Sequence, residues 1–280
     1  MYFIILFYVI TLINALEVRP YYDASKGDII VNKFLKNKKI DKIIMAFILG
    51  QDCIPNFNYV ASENSIKSLN NIDIWLSFGG ANAPYIEQNC KNKTLLFNNL
   101  DNIIKTYNAT GIDFDIENNV LPEDDQHKVR AKVLKRLKNK YRNKLTMGYT
   151  LPADEYGLNK QIGLQMLNNT KNLFIPDYIN PMAMFLRDRH AKHLNDNIEK
   201  TIKSVNEDMV LIYDSNEKDM FKKMGVTVNV AGDDECPFQT KNIKELINFV
   251  KTKDMHFVSF WEIGKTHGID IYKEILNEIK

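Results

Sequence analysis

The stretch TGIDFDIENN, residues 110–119, alternates acidic and large apolar side chains with a period of two. That period belongs to a β-strand, whose successive side chains point to opposite faces. Asp113, Asp115 and Glu117 therefore share one face, and Ile112, Phe114 and Ile116 share the other. An exposed amphipathic edge strand would also alternate. Here the interleaved residues are all bulky and Gly111 opens the run, which suits a strand whose apolar side is covered by helices. The three acids then face an enclosed polar space.

Apolar runs recur on both sides of this strand: LEVRPYY (16–22), KIIMAFIL (42–49), IDIWLSF (72–78) and, after GIDFDI (111–116), KLTMGYTL (144–151), DYINPMAM (177–184), GVTVNV (225–230) and MHFVSFW (255–261). The intervals carry helical periodicity. In 125–141, Val129, Val133, Leu134, Leu137 and Tyr141 fall on one helix face, and 63–70, 86–107, 158–172, 193–205 and 240–253 behave similarly. Strands alternating with helices predict parallel strands joined by crossovers. Eight such units within residues 16–280 fit an α/β fold of the (β/α)₈ TIM-barrel type, which takes about 250 residues. A doubly wound open sheet is the alternative with the same alternation. No linker or low-complexity tract divides 16–280, so it reads as one domain. In a barrel the apolar face of 111–116 packs outward on helices. The acids then project inward and toward the C-terminal mouth, with Glu117 outermost, where this architecture holds its active sites.

Crowded carboxyls do not all ionise cheaply. Sharing a site and losing water both raise pKa, so such a group keeps a proton near neutrality, as a general acid must. Composition narrows the remaining classes. With 45% hydrophobic and 26% charged residues the chain can bury a large core, and a formal charge of +2 gives no reason to expect nucleic acid. The basic run KNKYRNK ends a helix, where cations suit the macrodipole. Asp188, His190 and His193 match no familiar ligand spacing, and Asp233, Asp234 and Glu235 read as a polar loop; no metal and no cofactor is expected.

The first residues, MYFIILFYVITLINALEV, form an apolar run shorter than the roughly 20 residues of a membrane span. Followed by the small Ala15, they read as a cleaved secretory signal over 1–15, leaving a mature extracellular chain without a stable membrane span; an uncleaved anchor and a buried helix are the alternatives, since no Lys or Arg precedes the run. A secreted chain with Cys53, Cys90 and Cys236 can form one disulfide and keep one thiol; the pairing stays open, as does the oligomeric state. Glycosylation sequons stand at Asn92, Asn108 and Asn168.

TGIDFDIE resembles the DGxDxDxE signature of glycoside hydrolase family 18, the chitinases and endo-β-N-acetylglucosaminidases. IIMAFILGQDCIP (43–55) is similar to that family's second-strand region, LSFGG (76–80) to the end of its third strand and YTLPADEYGL (149–158) to its fifth. GVTVNVAGDDE (225–235) resembles a G-V-T-P-M-I-G-V-N-D segment of bacterial-type chitinases, and SFWEI (259–263) carries the tryptophan of the last strand. The likeness spans nearly the whole mature chain. It implies substrate-assisted, retaining hydrolysis of β-1,4-linked N-acetylglucosamine, with chitin or its oligosaccharides as the bound partner. In those terms Glu117 is proton donor and base, Asp115 orients the acetamido group and Asp113 supports its charge or proton. Trp261 would floor the −1 sugar, with Met182, Asn180, Gly79 and Gly80 around it.

Two departures stand out. Thr110 replaces the first acid of the signature; its hydroxyl could bond Asp113 but holds no charge. The family's sixth strand ends in a form such as N-I-M-T-M-D-Y, whereas residues 180–186 read NPMAMFL, so Phe185 stands where an acid supports the acetamido group. Asn180, Tyr149 or Tyr213 are the candidates to compensate. The alternative function is a catalytically weak or inactive chitin- or glycan-binding barrel, and a third class is a structural barrel with no sugar site. The absence of a long insertion between the last strands fits an open, endo-acting cleft.

Overall fold

The computed structural model describes residues 16–26, 40–56, 72–82, 84–117, 124–184, 186, 193–230 and 238–280. The leader 1–15, the expected helix at 63–70, Phe185, Cys236, Asp188, His190 and residues 233–235 lie outside the described residues.

All eight apolar runs form strands. The first is split into β1 (Glu17–Val18) and β2 (Tyr21–Asp23), since Pro20 has no N–H to carry a ladder through. There follow β3 (Lys42–Gln51), β4 (Ile54–Asn56), β5 (Asp73–Gly79), β6 (Gly111–Asp115) and β7 (Thr146–Asp154). Then come β8 (Gly157–Leu158), β9 (Tyr178–Met182), β10 (Gly225–Asn229) and β11 (Phe257–Trp261). The sheet runs β1-β11-β10-β9-β7-β6-β5-β3-β2, with β4 and β8 as short antiparallel returns on β3 and β7. Because β1 pairs with β11 and β2 with β3, the split first strand touches both edges and closes the parallel sheet into a barrel.

Helices α1 (Lys93–Thr106), α2 (Asp124–Tyr141), α3 (Gln165–Thr170), α4 (Leu194–Tyr213), α5 (Glu217–Phe221), α6 (Thr240–Thr252) and α7 (Gly268–Ile279) cover the outside. Residues 86–92 are not helical, contrary to the periodicity. Asn89 takes φ 58°, Cys90 is bonded to Cys53, and the Asn92 side chain accepts the N–H groups of Thr94 and Leu95 to start α1. Outward-facing Leu76, Phe78, Ile112, Phe114 and Met147 join the apolar stripes of the helices in one buried cluster. Each such side chain contributes about 1.5–3 kcal/mol on burial.

The inward-facing residues change character along the barrel axis. At the N-terminal end Trp75 stacks on Tyr178 (centroids 4.9 Å, 18°) and meets Phe257 edge-on at 5.3 Å. Only glycine fits beside these rings: a Cβ at Gly111 would lie 2.4 Å from Trp75, and one at Gly225 2.3 Å from Phe257. Above this aromatic plug come hydroxyls, an amide and one acid, in Ser77, Asp113, Thr150, Asn180, Thr227 and Ser259, all at most 2% exposed. Asp115, Met182 and Trp261 reach the open mouth.

Thr110 takes no part in that interior. It is exposed at the N-terminal end of β6, where its hydroxyl bonds the Asp73 carboxylate. Asp73 also pairs with Arg19 at 2.5 Å, and Arg19 with Glu17 at 2.6 Å. The expected Thr110–Asp113 contact is therefore corrected: the two residues sit three apart on a strand, about one nanometre along its length and on opposite faces.

Candidate active site

Asp113 is wholly buried and accepts four hydroxyl groups. Ser77 (2.7 Å) and Tyr21 (3.0 Å) bond Oδ2, while Thr150 (2.8 Å) and Tyr178 (2.9 Å) bond Oδ1. Burial raises its pKa, and the four hydroxyls offset part of that rise. One step toward the mouth, Asp115 is 3% exposed and lines the cleft, yet its Oδ1 is buried with no hydrogen-bond partner among the described residues. Burial, then the charges of Glu117 and Asp113, push its carboxyl well above the usual range. Glu117 stands just past the end of β6, half-buried in the cleft wall. Burial raises it as well, against a backbone N–H supplied by Ala81. Three carboxyls in a row, each pushed upward, hold their protons to higher pH than free carboxyls do.

The cleft encloses about 720 Å³. Trp261 lies in it, stacked on Phe47 with ring centroids 5.3 Å apart at 14°, and tilted against Tyr21 at 5.8 Å. Met182, Met184, Thr150 and Thr227 line one side; Asp23, Ser25, Asn56 and Asn82 give polar groups elsewhere along the wall. Gly79 also lines it, at φ 109°, where a Cβ would sit 2.3 Å from the Asp115 carbonyl oxygen. The next residue, Gly80, donates its N–H to that same oxygen at 2.9 Å. The paired glycines thus let the end of β5 press against the acid-bearing strand. Asn180 lies just beneath the cleft, fully buried. Its Nδ2 donates to Thr150 Oγ1 (2.9 Å) and Thr227 Oγ1 (2.7 Å), and its Oδ1 has no partner among the described residues.

Two expected site residues are elsewhere. Thr150 faces the interior, so its neighbour Tyr149 must face out. Tyr149 packs among helices, 6.4 Å from the Phe114 ring and 6.3 Å from Phe174, with the Arg130 guanidinium 5.2 Å from its centroid. Tyr213 is the last residue of α4 and packs on the outer core close enough to Tyr149 to feel its charge. Neither lines the cleft, so neither stands in for the polar group displaced at position 185, and Leu186 beside it is buried and apolar. The hydroxyl cradle of Tyr21, Ser77, Thr150 and Tyr178, and the cleft ring of Phe47, went unread in the sequence. The one signal for the cradle is a hydroxyl placed on the face of a strand that otherwise runs apolar; Phe47 carries none.

The sequence pattern described as Glycosyl hydrolases family 18 matches residues 17–234, which is most of the chain and all of the acid-bearing strand. The chain belongs to glycosyl hydrolases family 18. Among curated relatives of the family it is 28% identical over 168 residues to a probable bifunctional chitinase/lysozyme of Escherichia coli (strain K12), covering 54% of this chain and 18% of that protein. It is 28% identical over 165 residues to Endochitinase 11 of Metarhizium anisopliae, covering 54% of this chain and 31% of that protein. The chain therefore spans less than a third of the length of these curated relatives. Two solved structures of active domain 2 of the chitinase from Pyrococcus furiosus have the same fold. One has a TM-score of 0.75 at 20% identity, covering 95% of this chain and 96% of that one. The other was solved with chito-oligosaccharides and has a TM-score of 0.71 at 23% identity, covering 89% and 84%.

Proposed function

We propose that the chain is a secreted chitinase that cleaves β-1,4-linked N-acetylglucosamine with retention of configuration, using the substrate's own acetamido group as nucleophile. The observation that carries this reading is the buried Oδ1 of Asp115, without a partner among the described residues and set between Asp113 and Glu117 in a cleft with an aromatic wall. A buried acceptor without a donor costs free energy that a ligand N–H would recover, and an acetamido group supplies one. Chitinase relatives and a similar structure holding chito-oligosaccharides support the same substrate class.

In this mechanism Trp261 and Phe47 take the apolar face of the −1 sugar. Glu117, whose carboxyl burial pushes above the usual range, gives its proton to the glycosidic oxygen. The acetamido carbonyl oxygen attacks the anomeric carbon as the leaving sugar departs, and the positive charge that develops on the acetamido nitrogen is met by Asp115 through the N–H. Asp113, neutralised in part by its four hydroxyls, takes up charge behind it. Glu117, now a carboxylate, removes a proton from water, which attacks the same carbon from the face the leaving group vacated. This is a substrate-assisted exception to the two-carboxylate scheme. The polar pair that the family places at the end of the sixth strand is replaced by Phe185 and Leu186, and Thr150, Thr227 and Tyr21 are hydroxyl-bearing residues that line the cleft. Missing one transition-state contact costs about 3 kcal/mol, so slow turnover is expected.

The expected leader and the Cys53–Cys90 disulfide both suit an oxidising, extracellular setting. Purified protein incubated with a chromogenic chitobioside and chitotrioside, beside Glu117→Gln, tests the reading. Release that drops by about 10²–10⁴ in the variant supports hydrolysis. Tight binding with no release from either protein would refute it and favour a binding role.

A further inference from the structure

Glu117 has little backbone support from its own strand, because it lies beyond the last residue of β6. Its support comes from the loop that follows β5. The backbone N–H of Glu117 donates to the hydroxyl of Tyr85 at 3.0 Å, and the same hydroxyl donates to the Gly80 carbonyl at 3.3 Å. The Tyr85 ring is 1% exposed and lies flush against Gly79, where a Cβ would come within 2.5 Å of it. Ala81, in that loop, supplies the N–H that meets the Glu117 carboxyl. One tyrosine thus joins the turn that carries the proton donor to the turn that hydrogen-bonds it.

The loop is itself held fast. Gly50 donates to the Pro84 carbonyl at 3.1 Å, Cys53 to Ile86 at 3.0 Å and Asp52 to Gln88 at 2.7 Å, and the Cys53–Cys90 disulfide closes the same segment. From the other side Glu87, fully buried, forms an ion pair with the fully buried Arg130 of α2. Such a buried pair is a weak source of net stability, but it fixes position wherever both groups must find each other. None of these residues lies in the acid signature, and Tyr85 does not line the cleft.

We infer that Tyr85 is a positioning residue for the proton-transfer step: its hydroxyl clamps the Glu117 backbone against the Gly79–Ala81 turn and so sets the carboxyl on the glycosidic oxygen. This rests on the proposed role of Glu117 as proton donor. Displacement of a catalytic group by a fraction of an ångström to one ångström costs about ten- to a hundredfold in rate. Tyr85→Phe removes the hydroxyl and leaves the ring that packs on Gly79.

The test compares substrates that differ only in how much protonation the leaving group needs. A 2,4-dinitrophenyl chitobioside departs without a proton, whereas chitotetraose does not. Tyr85→Phe is expected to lower kcat on chitotetraose by about tenfold or more, to leave KM within about twofold, and to leave the first-turnover release of dinitrophenolate, which precedes the Glu117-assisted attack of water, within about twofold. In a Glu117→Gln background the same substitution is expected to cost nothing further on either substrate. In the Glu117-containing protein, a loss in first-turnover dinitrophenolate release as large as that in kcat on chitotetraose, or no loss on chitotetraose, would overturn the clamp. Glu117→Gln measured alone keeps the two ideas apart: full activity of that variant on chitotetraose would sink the proton-donor reading, whereas its inactivity together with an unaffected Tyr85→Phe would sink only the clamp.

Discussion

Replacing Asp115 with asparagine is expected to make the protein more stable at neutral pH while disabling it. The side chain is 3% exposed, one oxygen has no partner, and both flanking acids disfavour its charge. Asparagine keeps the shape, removes the ionisable group and brings an N–H₂ donor between two acceptors. Leaving a buried polar group unsatisfied costs about 1–3 kcal/mol, which sets the expected gain. Spread over the unfolding entropy of a chain of this length, it raises Tm by about 2–5 °C. The sign of the pH dependence follows from linkage. The folded-state pKa of Asp115 lies above its unfolded value of 3.8, so the native state holds more protons between the two. Stability then falls as pH rises from 3.8 through the folded pKa, and the penalty is absent below 3.8. The gain in Asp115→Asn should be present at pH 7 and shrink toward zero at pH 4, as read by thermal unfolding of both proteins at the two pH values. A variant less stable than its parent at pH 7, or a gain of equal size at both pH values, would refute the electrostatic picture of the acid stack.

Reducing the Cys53–Cys90 bond, or changing both residues to serine, should lower stability by about 3–4 kcal/mol, since the bond closes a segment of 37 residues; Tm in calorimetry should fall by roughly 5–7 °C. Arg130→Ala leaves Glu87 charged and unpaired in the helix layer and should cost about 3–5 kcal/mol in urea unfolding, whereas the double change to methionine at both positions should cost much less. Gly79→Ala forces a side chain into φ 109° against the Asp115 carbonyl; a loss of about 1–3 kcal/mol together with loss of chitobioside cleavage is expected, and wild-type kinetics would contradict the tight β5–β6 contact.

The barrel was legible because its strands are buried on both faces and its helices on one, so runs of Val, Ile, Leu and Phe alternate with amphipathic stretches. The parity of β6 was legible as well: acids at 113, 115 and 117 announce which face is inside. The parity of β7 was not, because both of its faces are buried and MGYTL carries no charge to mark one of them. For that single reason the sequence offers Tyr149 as a site candidate and gives no sign of its neighbour Thr150. Asp113's cradle comes from four different strands, β2, β5, β7 and β9, and depends on their stagger in the closed sheet, which no local pattern encodes. Thr110 misled in another way. A motif read as a string suggests that its first and fourth positions touch, whereas the extended chain separates them and turns them to opposite faces. Tyr85 sits in a loop with no period, fixed by a disulfide and an ion pair whose partners are distant in sequence.

The central claim is that Asp115 and Glu117 act together on one N-acetyl sugar whose own carbonyl makes the first bond. The configuration of the first product reads this directly. Proton NMR of chitotetraose hydrolysis, recorded before mutarotation, should show the β-anomer at the newly formed reducing end. Initial appearance of the α-anomer would mean that water attacks in a single displacement, and the substrate-assisted account would be wrong.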